Sequence, residues 1–409
     1  MSLIFNNISF FLGENLDFVE NGHIVIRGGL IKQAGVGEYH EFNYKDRILD
    51  GQGVLACPGF INSHTHVGDS VGKDIGINFG FNRRVHPIQG IKKRILESTE
   101  RGTLVKFIRG SLVSMIKNGI VAFADFRESG IDGMKLLNEA LTGLNIKPVI
   151  LGRPDFYFDL SKTPLNESIP QPVIDMTIEI LRLANGLGIS GANENTDEAL
   201  RQYRNLIRQN TVKSDSLIAI HAAESSETGV YSLSMTGRRE LDRIFDFLSP
   251  DFVIHLADAS DYEINILAKN GTGIVVCPRS NGVLGVGFPS IAKMIQSKCC
   301  VAIGTDNIML NSPDMFREMD YIWKVSRILG QPISAREILK MATVNGGKIL
   351  RLNSGSISLN NSADIMFIDK NNIDICPMLD PYASMIHRAS SESILNLMID
   401  GEFVDGNGI

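Results

Sequence analysis

Between about residues 58 and 345, short apolar runs alternate with longer amphipathic stretches, a rhythm that predicts parallel strands joined by helices. The apolar runs are GFINSHTH, GIVAFADF, KPVILGRPDF, GISGANE, LIAIHAAE, FVIHLADAS, GIVVCPRSN and CVAIGTDN. Helix-like stretches lie between most of them, such as LVKFIRGSLVSMIKN before the second and SIAKMIQSK before the eighth. Eight β-α units in residues 58–345 match the size and rhythm of a closed (β/α)8 TIM barrel. A doubly wound open sheet usually carries a Gly-rich phosphate loop after its first strand. Here the first strand ends in His-Thr-His, and the barrel is expected instead. The flanks differ in character. LIFNNISFFL, HIVIRGGLIKQAG and DRILDGQGVLACPG at one end, and GSISL, ADIMFID and SILNLMIDGEFV at the other, read as short strands with turns. Residues 1–57 and 346–409 are therefore expected to pair into one small β unit beside the barrel of residues 58–345.

Composition narrows the function classes. A hydrophobic fraction of 44% and a charged fraction of 21% are those of an ordinary globular protein. The 40 basic and 46 acidic side chains leave a formal charge of −6, with no Lys/Arg-rich run, so a nucleic acid polymer is not an expected partner. The N-terminus lacks the pattern of a secretory signal, and no run of about 18 apolar residues predicts a membrane span. The five cysteines include no CxxC pair. That fits reduced thiols and a cytoplasmic location, and it removes the usual thiolate zinc sites.

The candidate chemistry sits at strand ends. His64 and His66, two apart on the first strand, point to one face, which in a barrel is the interior. His221 ends LIAI, His255 ends FVI, and Asp306 follows VAIGT, each where a barrel strand hands over to its loop. Singly, each has a bland alternative: an isolated HxH is more often a pair of solvated histidines, and an Asp after Gly-Thr can be a helix N-cap. Together they repeat one placement. Three neutral imidazoles and a carboxylate suit zinc or another borderline first-row ion, with a position left open for water. Glu224, three residues after His221, can reach that open position as a general acid/base. Its alternative reading is a helix-opening carboxylate.

PGFINSHTH at 58–66, HAAE at 221–224, IH at 254–255, CPRSNGVLGVG at 277–287 and GTDNIMLNSPDMFREM at 304–319 resemble the amidohydrolase superfamily. The likeness is to its branch of aminohydrolases and chlorohydrolases, which includes guanine, cytosine and S-adenosylhomocysteine deaminases and triazine hydrolases. The closing segments resemble the family's composite β-sandwich, so the second unit is expected to be one. The resemblance implies metal contact by His64, His66, His221 and Asp306. It implies that Glu224 shuttles protons, that His255 polarises the activated water or the substrate, and that Asp306 accepts a proton. Two-metal relatives bridge their ions with a carboxylated Lys or a Glu after the fourth strand. GISGANEN offers only Glu194 there, and the pairing of His221 with Glu224 belongs to the one-metal type. One divalent ion per subunit is expected, zinc first, with iron or manganese compatible.

The implied reaction is hydrolytic deamination of an aminated N-heterocycle, a small-molecule substrate. Hydrolysis of a cyclic amide, as in imidazolonepropionase, or loss of a ring halide would use the same ligands. A scaffold that has lost catalysis would be expected to lack ligands, and none is missing. Zinc deaminases of the His/Cys/Cys type need a PCxxC motif that this chain does not have. Specificity is expected from the loops. The stretch GDSVGKDIGINFGFNRRVHPIQG after the first strand, with Asp69, Arg83, Arg84 and His86, reads as a polar lid. It lacks the Arg-Gly and Trp-Leu pairs of nucleoside deaminases, which argues against adenosine-type substrates. His86, Arg153 after the third strand and Asn281 after the seventh are the candidate substrate contacts, with a structural ion pair, such as one to Asp155, the alternative for Arg153 and a role in its turn the alternative for Asn281. Dimers are frequent in the family, and a homodimer is the assembly the resemblance suggests.

Overall fold

The computed structural model describes residues 1–209 and 215–404. The chain opens with five strands: β1 (Leu3–Leu12), β2 (Asp17–Arg27), β3 (Leu30–Val36), β4 (Arg47–Asp50) and β5 (Val54–Pro58). β2 and β3 form a hairpin whose two turn residues, Gly28 and Gly29, take φ of +57° and +77°. A side chain is disfavoured there on backbone grounds alone, and at Gly29 a Cβ would also lie 2.7 Å from the Asp400 carbonyl.

Nine strands follow in a single parallel sheet. They are β6 (Phe60–His66), β7 (Ile120–Arg127), β8 (Lys147–Gly152), β9 (Gly186–Ile189), β10 (Leu217–Ala222), β11 (Phe252–His255), β12 (Gly273–Val276), β13 (Val301–Ile303) and β14 (Asp306–Asn307). Pairing follows chain order from β6 to β13, and β14, which continues β13 after two residues, pairs back onto β6. The sheet therefore curls into a TIM-like barrel. All eight apolar runs picked out by periodicity supply its strands. They read as continuous apolar text because both faces are covered: every residue of β6, β7 and β12 is buried. The two helices foreseen between strands are also present, at Arg101–Lys117 and Ile291–Gln296.

β15 (Ile365–Asp369), β16 (Ile394–Ile399) and β17 (Glu402–Phe403) return to the first five strands. The second sheet runs β17-β16-β15-β5-β1-β2-β3, with β4 beside β1. The two chain ends thus share one sheet. GSISL differs from expectation, because it makes a single bridge from Ile357 to Leu12 instead of a strand. Gly355 turns the backbone to φ +93°, and the hydroxyls of Ser356 and Ser358 bond each other, which leaves one residue free to pair. Lys147, at the start of β8, ties barrel to sheet through its ammonium, 2.6 Å from the buried Asp364 carboxylate.

The segment after β6 is more structured than a polar lid. A 3-10 turn spans Val67–Gly72, and short helices follow at Phe81–Val85 and Ile91–Ser98. Asp69 anchors its start, accepting from Asn307 Nδ2 at 2.7 Å and from the Met309 amide at 3.0 Å. Among the described residues no helix is long and apolar enough to cross a membrane.

Candidate metal centre

β6 delivers His64 and His66 side by side at the C-terminal mouth of the barrel, β10 delivers His221, and Asp306 opens β14. One ligand atom from each of the four lies within 4.8 Å of every other. His64 Nε2 stands 3.2 Å and His66 Nε2 3.6 Å from Asp306 Oδ1. Asp306 is held in place from its other oxygen, Oδ2, by the Ser280 hydroxyl. Its backbone is in the left-handed region at φ +60°, which is strained for an Asp and turns the carboxylate inwards.

Ring orientation gives the clearest test of whether a cation fits. His66 Nδ1 meets the Glu128 carboxylate at 2.8 Å, and His221 Nδ1 meets the Ile189 carbonyl at 3.2 Å. Both partners are acceptors, so both rings carry their proton on Nδ1 and present a bare Nε2. Those two Nε2 atoms face each other at 3.3 Å. Two lone pairs repel at that separation unless a cation lies between them. Nδ1 of the fully buried His64 has no hydrogen-bond partner, and its Nε2 faces the Asp306 carboxylate. Burial, with Lys92 next in weight, pushes His66 down to about 3, and burial with the other imidazoles pushes His221 well below the usual histidine range. Neutral imidazoles and a carboxylate are the donors that a divalent first-row ion takes. The residues fit the group.

Glu224 and His255 stand beside this cluster, His255 Nε2 3.4 Å from Glu224 Oε1. Both also come within ligand distance of Asp306. Burial, then the Asp306 and Glu240 charges, raise Glu224 well above an ordinary carboxyl, while burial lowers His255 to about 4. A carboxyl that keeps a proton beside a neutral imidazole is equipped to give and take protons. His255 also has left-handed backbone, at φ +78°.

The mouth opens into a cavity of about 810 Å3. Arg153 and His86 line it, together with Lys92, Glu194 and Glu240. Asn281 is not one of its lining residues. It is buried behind His255, with its Oδ1 3.0 Å from the ring's Nδ1. Arg83 and Arg84 do not line the cavity either; Arg83 lies over the Phe79 ring, 3.7 Å from its centroid, and Arg84 is fully buried.

Sequence reasoning missed Glu128 and Lys92. Lys92 Nζ is 2.5 Å from the Glu128 carboxylate that bonds His66, and Arg127 donates to its other oxygen at 2.9 Å. Glu128 follows β7 directly, the same strand-end placement that marked the histidines. Beside Arg127 it reads as an ordinary ion pair, which hid it.

A family model described as the amidohydrolase family matches residues 55–404. The chain is 34% identical over 386 residues to a putative aminohydrolase of Methanothermobacter thermautotrophicus, covering 93% of this chain and 94% of that one. It is 25% identical over 421 residues to a 5'-deoxyadenosine deaminase of Methanococcoides burtonii, covering 98% and 91% respectively. Among solved structures, an adenosine deaminase from Xanthomonas campestris with bound zinc superposes with a TM-score of 0.85 at 17% identity, over 98% of this chain and 92% of that one.

Proposed function

The chain belongs to the amidohydrolase family, and from that premise we propose that it is a metal-dependent aminohydrolase that deaminates an N-heterocyclic small molecule. The observation that carries this reading is the meeting of His64, His66, His221 and Asp306 beside the Glu224–His255 pair at one barrel mouth. We assign His64, His66, His221 and Asp306 as ligands of one divalent ion, zinc by preference. When bound, such an ion lowers the pKa of water toward about 7 and so supplies a nucleophilic oxygen at neutral pH.

The protein's own groups handle the protons. Glu224 donates to the ring nitrogen next to the carbon under attack, and later hands a proton to the departing amine. Asp306 and Glu224 take up the two protons of the attacking water, and the one held by Asp306 passes on to Glu224, so that Glu224's two deliveries leave both carboxylates as they began. The balance is one water consumed and one ammonia released. His255, neutral and held from Nδ1, orients the attacking oxygen through Nε2. Arg153 and His86, on the cavity wall, are our candidates for substrate contacts; Asn281 acts through His255. We take residues 58–345 as the catalytic barrel and 1–57 with 346–409 as a composite β-sandwich domain. The sheet shared by the two chain ends supports that division. A homodimer with a cytoplasmic location completes the reading.

The test is ammonia release by zinc-loaded protein from a panel of aminated purines, pyrimidines, pterins and triazines, with 5'-deoxyadenosine included because of the relative's name. Glu224→Gln should keep its metal and lose about 10²–10⁴-fold in kcat. Wild-type turnover by that variant would overturn the assignment, as would ring opening or chloride release in place of ammonia. Two tightly bound ions per chain, both needed for activity, would overturn the metal count.

A further inference from the structure

Glu128 has no part in the mechanism above, yet its carboxylate lies 2.8 Å from the far nitrogen of His66. We propose that Glu128 is a positioning residue: by accepting the Nδ1 proton of His66 it locks that ring with Nε2 turned to the metal centre. The proposal rests on the reading of His66 as a ligand.

Three features single it out. Both carboxylate oxygens are committed, Oε1 to His66 Nδ1 at 2.8 Å and Lys92 Nζ at 2.5 Å, and Oε2 to Arg127 at 2.9 Å. Glu128 therefore cannot rotate away from the imidazole without abandoning two buried cations. Next, β7 grips the chain on both sides of His66. Asp125 Oδ1 accepts from the Val67 amide at 2.7 Å and from the Thr65 hydroxyl at 3.3 Å, so the neighbours are fixed by one carboxylate and the ring by another. Arg127 ties the two carboxylates together, 3.5 Å from Asp125 Oδ2. Last, the space for that guanidinium exists only because residue 68 is glycine: a Cβ on Gly68 would lie 1.8 Å from an Arg127 nitrogen. A carboxylate on the far nitrogen of a ligating histidine fixes its tautomer and raises its basicity, and losing one typically weakens metal binding about 10- to 100-fold.

The paired variant E128M/K92M separates positioning from simple charge. It removes one charge of each sign together with the acceptor, so a purely electrostatic role leaves metal affinity unchanged, whereas loss of positioning weakens it. We expect zinc affinity, measured on stripped protein by competition with a chromogenic chelator, to fall about 10- to 100-fold in E128M/K92M. The visible spectrum of the cobalt-loaded variant should shift, reporting a changed ligand field. K92M alone should bind zinc as tightly as wild type or tighter, since it removes a positive charge near the cation. Wild-type zinc affinity and an unshifted cobalt spectrum in E128M/K92M would overturn the proposal. Equal weakening in K92M alone would overturn it too, because the loss would then trace to Lys92. If E128M/K92M is recovered unfolded, Glu128→Gln, which keeps the shape and weakens the acceptor, takes its place. Weaker zinc binding with a shifted cobalt spectrum in that variant supports the positioning role, and wild-type behaviour in both overturns it. Wild-type protein that takes up no stoichiometric metal would sink the ligand reading itself, a result distinct from either of these.

Discussion

Asn281 Oδ1 lies 3.0 Å from His255 Nδ1, and the imidazole so held presents Nε2 to Glu224 Oε1 at 3.4 Å. The amide belongs to a short helix that follows β12, Pro278–Leu284, so its place is set by the barrel wall and not by a surface loop. Asn281→Leu keeps the volume and removes the acceptor. The freed ring no longer has a fixed orientation, and a misplacement of about 1 Å at a reacting group can cost about 10²-fold. The expected outcome is a fall in kcat of about that size with KM changed little and metal content intact. Steady-state kinetics with metal analysis checks it, and a loss confined to KM would instead put Asn281 on the substrate.

The strand ends explain why so much of this site could be read from sequence. A barrel strand buried on both faces is a short apolar run, and any His or Asp that terminates one is bound to reach the mouth; His64, His66, His221, His255 and Asp306 all carried that mark. Asn281 and Glu128 contact other side chains of the site, and a contact between residues distant in sequence leaves no local periodicity. Glu240 and Lys92, which also line the cavity, were hidden for a related reason, since charged residues on short helices look like solvated faces. The pairing of the two chain ends was legible as matching strand character. Their register was not, because short strands with few alternations fix a partner only through tertiary packing.

Gly304 separates β13 from β14 and passes directly under His64. A Cβ there would lie 2.7 Å from His64 Cβ and 2.8 Å from its amide nitrogen. Backbone cannot step aside cheaply where Thr305 also donates to the His64 carbonyl at 3.1 Å. Gly304→Ala should therefore cost about 1–3 kcal/mol of stability and reduce zinc occupancy as well, because the displaced residue is one of the four proposed ligands. Thermal unfolding and metal stoichiometry on the same preparation check both halves; full occupancy with an unchanged midpoint would show that the barrel absorbs the methyl group.

Glu318 makes the molecule's stability depend on pH. It is fully buried on the helix Met315–Ile328, and burial raises its carboxyl to about 8 against the opposing influence of Arg279. A carboxyl whose folded pKa lies above its unfolded value binds more protons folded than unfolded. Its contribution is complete below the unfolded value of 4.5 and is lost as pH rises through about 8. Across that window this one group makes stability fall by up to about 1.4 kcal/mol per pH unit. Glu318→Gln should flatten the dependence, so urea midpoints of the variant and wild type should diverge most at the alkaline end, with the variant the more stable there. Parallel midpoint curves from about pH 5 to 8.5 would show that Glu318 is already ionised throughout.

Removing the ion should cost stability in a way that returns on titration. The proposed ligand side chains are held in place by partners that stay after any metal leaves: Glu128 on His66, the Ile189 carbonyl on His221 and Ser280 on Asp306. Stripped protein should therefore keep its fold but retain the facing Nε2 pair of His66 and His221 at 3.3 Å with nothing to neutralise it. A ligand that binds only the folded chain stabilises it by about 2.7 kcal/mol at a hundredfold excess over Kd. Chelator-treated protein should melt several degrees lower than loaded protein, and zinc should restore the midpoint in proportion to the logarithm of its free concentration. Asp306→Ala should melt at one temperature whether zinc is added or not. If the wild-type midpoint is likewise indifferent to chelation and to added zinc, the four side chains do not form a metal site in the folded protein.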